Sequence, residues 1–210
     1  MSKEKINIFL KGLDSYFPNP VTELKYKKDY ELLIAVMLSA QTTDKRVNIV
    51  TNRLFLKYDN LESLSEANEE DIKNIIKEIG TYNRKAKYII SIATDLVNKF
   101  DKKMPKVKSD LMTLDGVGRK TANVVTSILY NTPSIAVDTH VKRVSKRLGL
   151  VSKSDNEITI EKKLMRLIEK SKWSKVHHQM VLFGRYRCKA LKPLCKDCLL
   201  RDICKEKDKY

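Results

Sequence analysis

Lys120 stands on the first turn of a helix that opens directly after two glycines, in residues 114–125 (LDGVGRKTANVV). Glycine lets the backbone take positive φ and lets a ligand approach the main chain with no Cβ in the way. The N–H groups at such a turn and helix start, together with the positive end of the helix dipole, favour an anion. Gly116, Val117, Gly118 and Arg119 therefore read as a phosphate grip. Lys120 has two readings. It is either one more phosphate contact or a nucleophilic amine, kept partly neutral by the positive charge of Arg119 and the helix start. Attack by that amine at a sugar C1′ expels a base and leaves an imine. Asp138, in IAVDTHVKR just ahead of a second basic helix, reads as an N-cap. A capping carboxylate keeps a second oxygen, which can face positive charge developing on a sugar. Gln41 and His140 are polar residues beside apolar segments, local hydrogen-bonding groups or recognition residues.

The four cysteines, Cys188, Cys195, Cys198 and Cys204, fall in one short C-terminal loop. Such clustering speaks against a disulfide framework and for a metal centre. Zinc sites more often use two separated C-x-x-C knuckles, whereas thiolates wound this tightly suit a small iron–sulfur cluster. The spacing favours [4Fe–4S] and leaves tetrahedral zinc as the alternative. Lys189, Lys192 and Lys196 lie between the cysteines. A metal-pinned loop presenting lysines is a second phosphate contact.

Charge points the same way. The 210 residues carry 42 Lys and Arg against 26 Asp and Glu, a formal net of +16. Residues 1–100 hold 16 basic and 14 acidic side chains, net +2; residues 101–210 hold 26 and 12, net +14. The asymmetry places a polyanion-binding face in the second half. No apolar run is long enough for a secretory leader or a membrane span, so the expectation is a cytoplasmic protein with no membrane partner.

The elements that must position these residues are helical. Apolar residues recur at helical spacing in 4–17, 31–39, 44–55, 71–79, 84–100, 138–148, 157–168 and 175–183, and no segment alternates with period two. Residues 31–39 (ELLIAVMLS) are apolar nearly all round, as in a helix buried mid-domain. Gly80 reads as the C-cap of the helix before it, and Ser109 as the cap of a short helix. The fold class is all-α, with nine or ten helices. Two helix–turn–helix units, around Gly80 and Gly116, hint at internal repetition.

Together these stretches resemble the endonuclease III family, the bifunctional DNA glycosylases of the helix-hairpin-helix superfamily. The resemblance rests on ELLIAVMLSAQTTD (31–44), LDGVGRKTANVV (114–125), IAVDTHVKRVSKRLG (135–149), HHQMVLFGRYRC (177–188) and the cysteine spacing. It implies two helical domains with DNA across the cleft between them. One is a six-helix barrel at about residues 22–132, with its hairpin near 110–130. The other joins residues 1–21 to 133–210 and holds a [4Fe–4S] cluster in loop 188–204. By similarity Lys120 is the Schiff-base nucleophile, Asp138 the carboxylate partner, and Gln41 fills the gap left by a flipped base. Thr81 stands where the family commonly has a leucine wedge, which puts the wedge and opposite-base discrimination in question. The implied partner is double-stranded DNA containing damaged bases or abasic sites, met by a monomer at the nucleoid. The implied reaction removes oxidised pyrimidines and cuts the strand 3′ to the abasic site. The alternatives are a thymine or uracil mismatch glycosylase of the same fold and a non-catalytic DNA-binding iron–sulfur module.

Overall fold

Helix starts are written into the sequence as side-chain caps. Ser2, Thr43, Asn60, Asn68, Asp138 and Asn156 each accept a hydrogen bond from a backbone N–H of the first turn that follows. The structure, a computed structural model, describes residues 2–206. In chain order the helices are α1 (Lys3–Tyr16), α2 (Asp29–Leu38), α3 (Asp44–Lys57), α4 (Leu61–Ser65), α5 (Glu69–Ile76) and α6 (Tyr82–Lys99). There follow α7 (Lys108–Leu111), α8 (Arg119–Tyr130), α9 (Thr139–Arg147), α10 (Glu157–Leu167) and, after a 3₁₀ turn at Lys170–Lys172, α11 (Trp173–Tyr186). Among the described residues there is no strand. The chain divides into two compact units, Thr22–Tyr130 and a discontinuous one of Met1–Val21 with Asn131–Tyr210.

The continuous unit is built around α2. Every residue from Tyr30 to Leu38 is buried, as its all-round apolar sequence requires. Helices α3, α6 and α8 pack on it, and α4 and α5 cover α6. In the discontinuous unit, α1 and α9 pack on α11, and α10 on α9. Phe9, Leu13, Val141, Val144, Met180 and Phe183 form its core.

Three local expectations change. There are eleven α-helices among the described residues rather than nine or ten, because α4 is too short to show a period. Gly80 does not cap α5: the helix ends at Ile76 with Lys77 still right-handed, and Ile79 N–H bonds the Ile76 carbonyl at 2.8 Å. The reversal comes one residue beyond Gly80, at Thr81, whose φ is 58°. Ser109 lies inside α7, whose N-cap is Val107, and its hydroxyl bonds Asp110.

The burial of α2 sets a test. Ile34→Ala removes a fully buried side chain and should cost about 2–5 kcal/mol, read from urea unfolding.

Candidate active site and cysteine centre

Gly116 makes the hairpin possible. Its φ is +75°, and a Cβ there would lie 2.5 Å from Tyr88 Cδ2. Ser91 donates to Asp115 at 2.8 Å, tying the turn to α6. Val117, expected in the phosphate grip, is instead 5% exposed and packs into the core, and its N–H is spent on the Leu114 carbonyl at 3.1 Å. It anchors the turn, and leaves Gly116 and Gly118 as the exposed backbone. The Gly118 carbonyl accepts from Ala122 to start α8, whose first turn presents Arg119 and Lys120 to solvent.

Two further loops of the same unit carry the other predicted contacts. Gln41 is exposed with φ 62°, and Thr81 is exposed with φ 58°. A left-handed conformation is unusual for any non-glycine residue and most unusual for a β-branched one. The Thr81 hydroxyl donates to the Gly80 carbonyl at 2.6 Å. Buried Lys85, on α6, reaches the loop before Gln41.

In the other unit, Asp138 does cap α9: its Oδ1 accepts from Val141 N–H at 2.7 Å. It is half-buried, with one oxygen committed by this bond. His140 follows it on α9. Arg143 Nη2 lies 3.1 Å from His140 Nδ1, and since arginine only donates, Nδ1 is the acceptor. Burial pushes the His140 imidazole below its usual range, which favours the neutral form. Gly184 admits this helix pair: a Cβ there would sit 2.8 Å from His140 Cβ.

All four cysteines line one cavity, with Arg147, Arg187 and Arg201 in its wall. Among the described residues, no three His, Cys, Asp or Glu side chains converge tightly enough to hold a single ion. Burial pushes the Cys198 and Cys204 thiols up, so coordination there must drive proton release. Two arginines of α9 fasten the loop. Arg143 donates to the Cys188 carbonyl at 2.9 Å and to the Gly184 carbonyl at 2.6 Å. Arg147, 8% exposed, donates to the Lys189 and Ala190 carbonyls at 2.7 and 3.3 Å and approaches Cys188 Sγ at 3.5 Å. Lys189 and Lys192 are exposed on that loop.

Sequence reasoning passed over Lys85, Arg143 and Arg147. The available signal was a cation at a helical position otherwise filled by apolar residues; the acceptors lie 40 or more residues away and leave no local trace.

The hairpin geometry predicts the effect of adding one methyl group. Gly116→Ala combines a left-handed φ with the Tyr88 clash and should destabilise the protein by at least about 1–2 kcal/mol, measured by thermal unfolding.

Residues 34–170 match the HhH-GPD superfamily of base excision DNA repair proteins. Endonuclease III of Bacillus subtilis (strain 168) is 43% identical over 209 residues, covering all of this chain and 95% of that protein. A solved structure of endonuclease III trapped as a covalent intermediate with DNA superposes with a TM-score of 0.95 at 45% identity, covering 100% of this chain and 98% of that one. A thermostable thymine-DNA glycosylase shares the fold, at TM-score 0.85 and 22% identity over 99% of this chain and 98% of that one. With an exposed lysine on the first turn of the hairpin helix, a capping aspartate on α9 and four thiols around one cavity, the chain belongs to the endonuclease III family of the HhH-GPD superfamily.

Proposed function

We propose that this protein is a base excision repair DNA glycosylase with AP lyase activity, acting on oxidised pyrimidines in duplex DNA. The observation that carries the reading is Lys120, exposed on the first turn after a left-handed glycine, in a chain of this family. An amine so placed sits beside a backbone phosphate site, which brings one sugar of the bound strand to it.

The target nucleotide leaves the stack, since its C1′ is unreachable inside the duplex. The Lys120 amine attacks C1′, and the base departs with the C1′–N bond electrons and takes up a proton. The new C1′–nitrogen bond then becomes an imine as the nitrogen gives up its proton and the C1′–O4′ bond breaks, its electron pair leaving on O4′, which is protonated as the ring opens. Asp138 supplies negative charge as positive charge grows on the sugar. Loss of the C2′ proton then eliminates the 3′ phosphate, and water releases the lysine. Gln41 occupies the space vacated in the duplex and Thr81 stands at the wedge position facing the opposite strand, while the backbone at Gly116 and Gly118, with Arg119, holds phosphates. His140 has its Nδ1 committed to the Arg143 guanidinium, which leaves Nε2 as the nitrogen that would meet DNA.

The four thiolates are proposed to hold a [4Fe–4S] cluster, the group whose chemistry here is to pin a loop. Two features support the fit. The thiols surround a cavity without converging on one ion, and arginines in its wall offset the charge of a thiolate-bound centre. Lys189 and Lys192 on that loop then meet phosphate.

Borohydride added during reaction with an abasic or oxidised-pyrimidine duplex should link protein to DNA, and Lys120→Ala should abolish the link. No adduct with the unaltered protein would reduce it to a binding module or a glycosylase without lyase activity. Asp138→Asn keeps the cap and removes the charge, so it should fold normally yet lose about 10²-fold or more in single-turnover excision. Purified protein should contain iron and acid-labile sulfide; stoichiometric zinc would refute the cluster. Lys189→Ala and Lys192→Ala should each reduce the salt slope of DNA binding by about 0.9.

A further inference from the structure

Lys85 is a buried cation whose setting the reaction above does not use. It lies on α6 at 5% exposure, beside the fully buried Ala86 and Ile89. Its ammonium donates to the Leu38 carbonyl at 3.0 Å and to the Ala40 carbonyl at 2.8 Å. Burial and the neighbouring Arg84 push its pKa down, and no carboxylate contributes. A buried ammonium is costly unless its donors are used, and the carbonyl end of a helix is where a cation is best placed.

The two acceptors define what this cation holds. Leu38 is the last residue of α2, and Ala40 immediately precedes Gln41. Between them the chain makes a tight turn, closed by Thr42 N–H on the Ser39 carbonyl at 3.1 Å, and it leaves Gln41 at φ 62°. The backbone of the same lysine is tied to the second unusual loop: Lys85 N–H donates to the Thr81 carbonyl at 3.2 Å, and Thr81 is at φ 58°. One residue thus bonds both segments whose tips stand exposed in left-handed conformations.

We propose that Lys85 is a positioning residue, fixing Gln41 and Thr81 relative to each other so that both enter the duplex when the damaged nucleotide leaves it. The proposal rests on the reading of Gln41 as the residue that fills the vacated space and of Thr81 as the residue at the wedge position. It adds a way in which they are held ready: a side chain on α6 fixes the Gln41 turn while its own main chain fixes the Thr81 turn. A flexible pair of tips would pay an ordering cost at each flipping event, which a preset pair avoids.

The test uses Lys85→Met, which keeps the length and apolar stem and removes the ammonium. The substrate is a duplex with an oxidised pyrimidine and 2-aminopurine as its neighbour, whose fluorescence rises when the target is extruded. The variant should lose most of that rise and excise about 10²-fold more slowly in single turnover. In a chain already carrying Gln41→Ala and Thr81→Ala, Lys85→Met should bring no further loss, because the groups it positions are gone. Equal losses in both backgrounds would show that Lys85 only holds the fold, and would overturn the proposal. Should Lys85→Met fail to fold by thermal unfolding, Lys85→Gln, too short to reach both carbonyls, is read by the same comparison. A wild-type protein that gives no fluorescence rise removes the flipping reading itself. A wild-type rise matched in full by the variant removes the role of Lys85 alone.

Discussion

Main-chain carbonyls left over where helices end must find donors, and both units of this protein meet that demand with a buried cation from a neighbouring helix. In the continuous unit the donor is Lys85, serving Leu38 and Ala40. In the discontinuous unit it is the pair Arg143 and Arg147, serving Gly184 at the end of α11 and Cys188, Lys189 and Ala190 in the cysteine loop. An unmet buried carbonyl costs more than the bond itself is worth, so these donors decide which loop conformations survive. The segments they hold are those that carry Gln41, the four thiols and the exposed lysines of the cysteine loop.

The same economy of groups appears at Asp138. One oxygen caps α9, so the carboxylate proposed to face the sugar is already fixed by the start of a helix. Three residues on, the first buried valine of α9 locks that helix into the core. Arg143 and Arg147, one and two turns from the start, then fasten the cysteine loop to the same helix. A single nine-residue helix therefore orients a carboxylate at its N-terminus and the cysteine loop along its side.

The helices long enough to show a period were legible in the sequence, as were the cysteine loop, the Asp138 cap and the glycine hairpin. Each is a local pattern. What escaped was long-range or too short to repeat. α4 has five residues and no period to detect. The left-handed residue of the first helix–turn–helix unit is Thr81 rather than Gly80, because the chain makes one more turn, Ile79 onto Ile76, before reversing. Propensity favours glycine there, and tertiary packing of α5 and α6 overrides it. Val117 looked like part of an anion site because of its neighbours, yet an apolar residue between two exposed glycines is what roots a turn in a core.

The excess positive charge of the second half is best understood as two populations with different chemistry. The arginines of α9 are partly or fully buried, and their planar forks each satisfy several carbonyls at fixed angles, a geometry lysine does not reproduce. Some lysines are neutralised in exposed pairs such as Lys142 with Glu157, which contribute little to stability. Lys120, Lys189, Lys192 and Lys196 remain exposed on turns and loops. An exposed ammonium is a strongly hydrated, mobile point charge, suited to meeting phosphates whose positions vary. Net charge alone therefore overstates the polyanion-binding surface: part of it is internal scaffolding, and the part that faces solvent is carried mainly by lysine, with Arg119 beside Lys120.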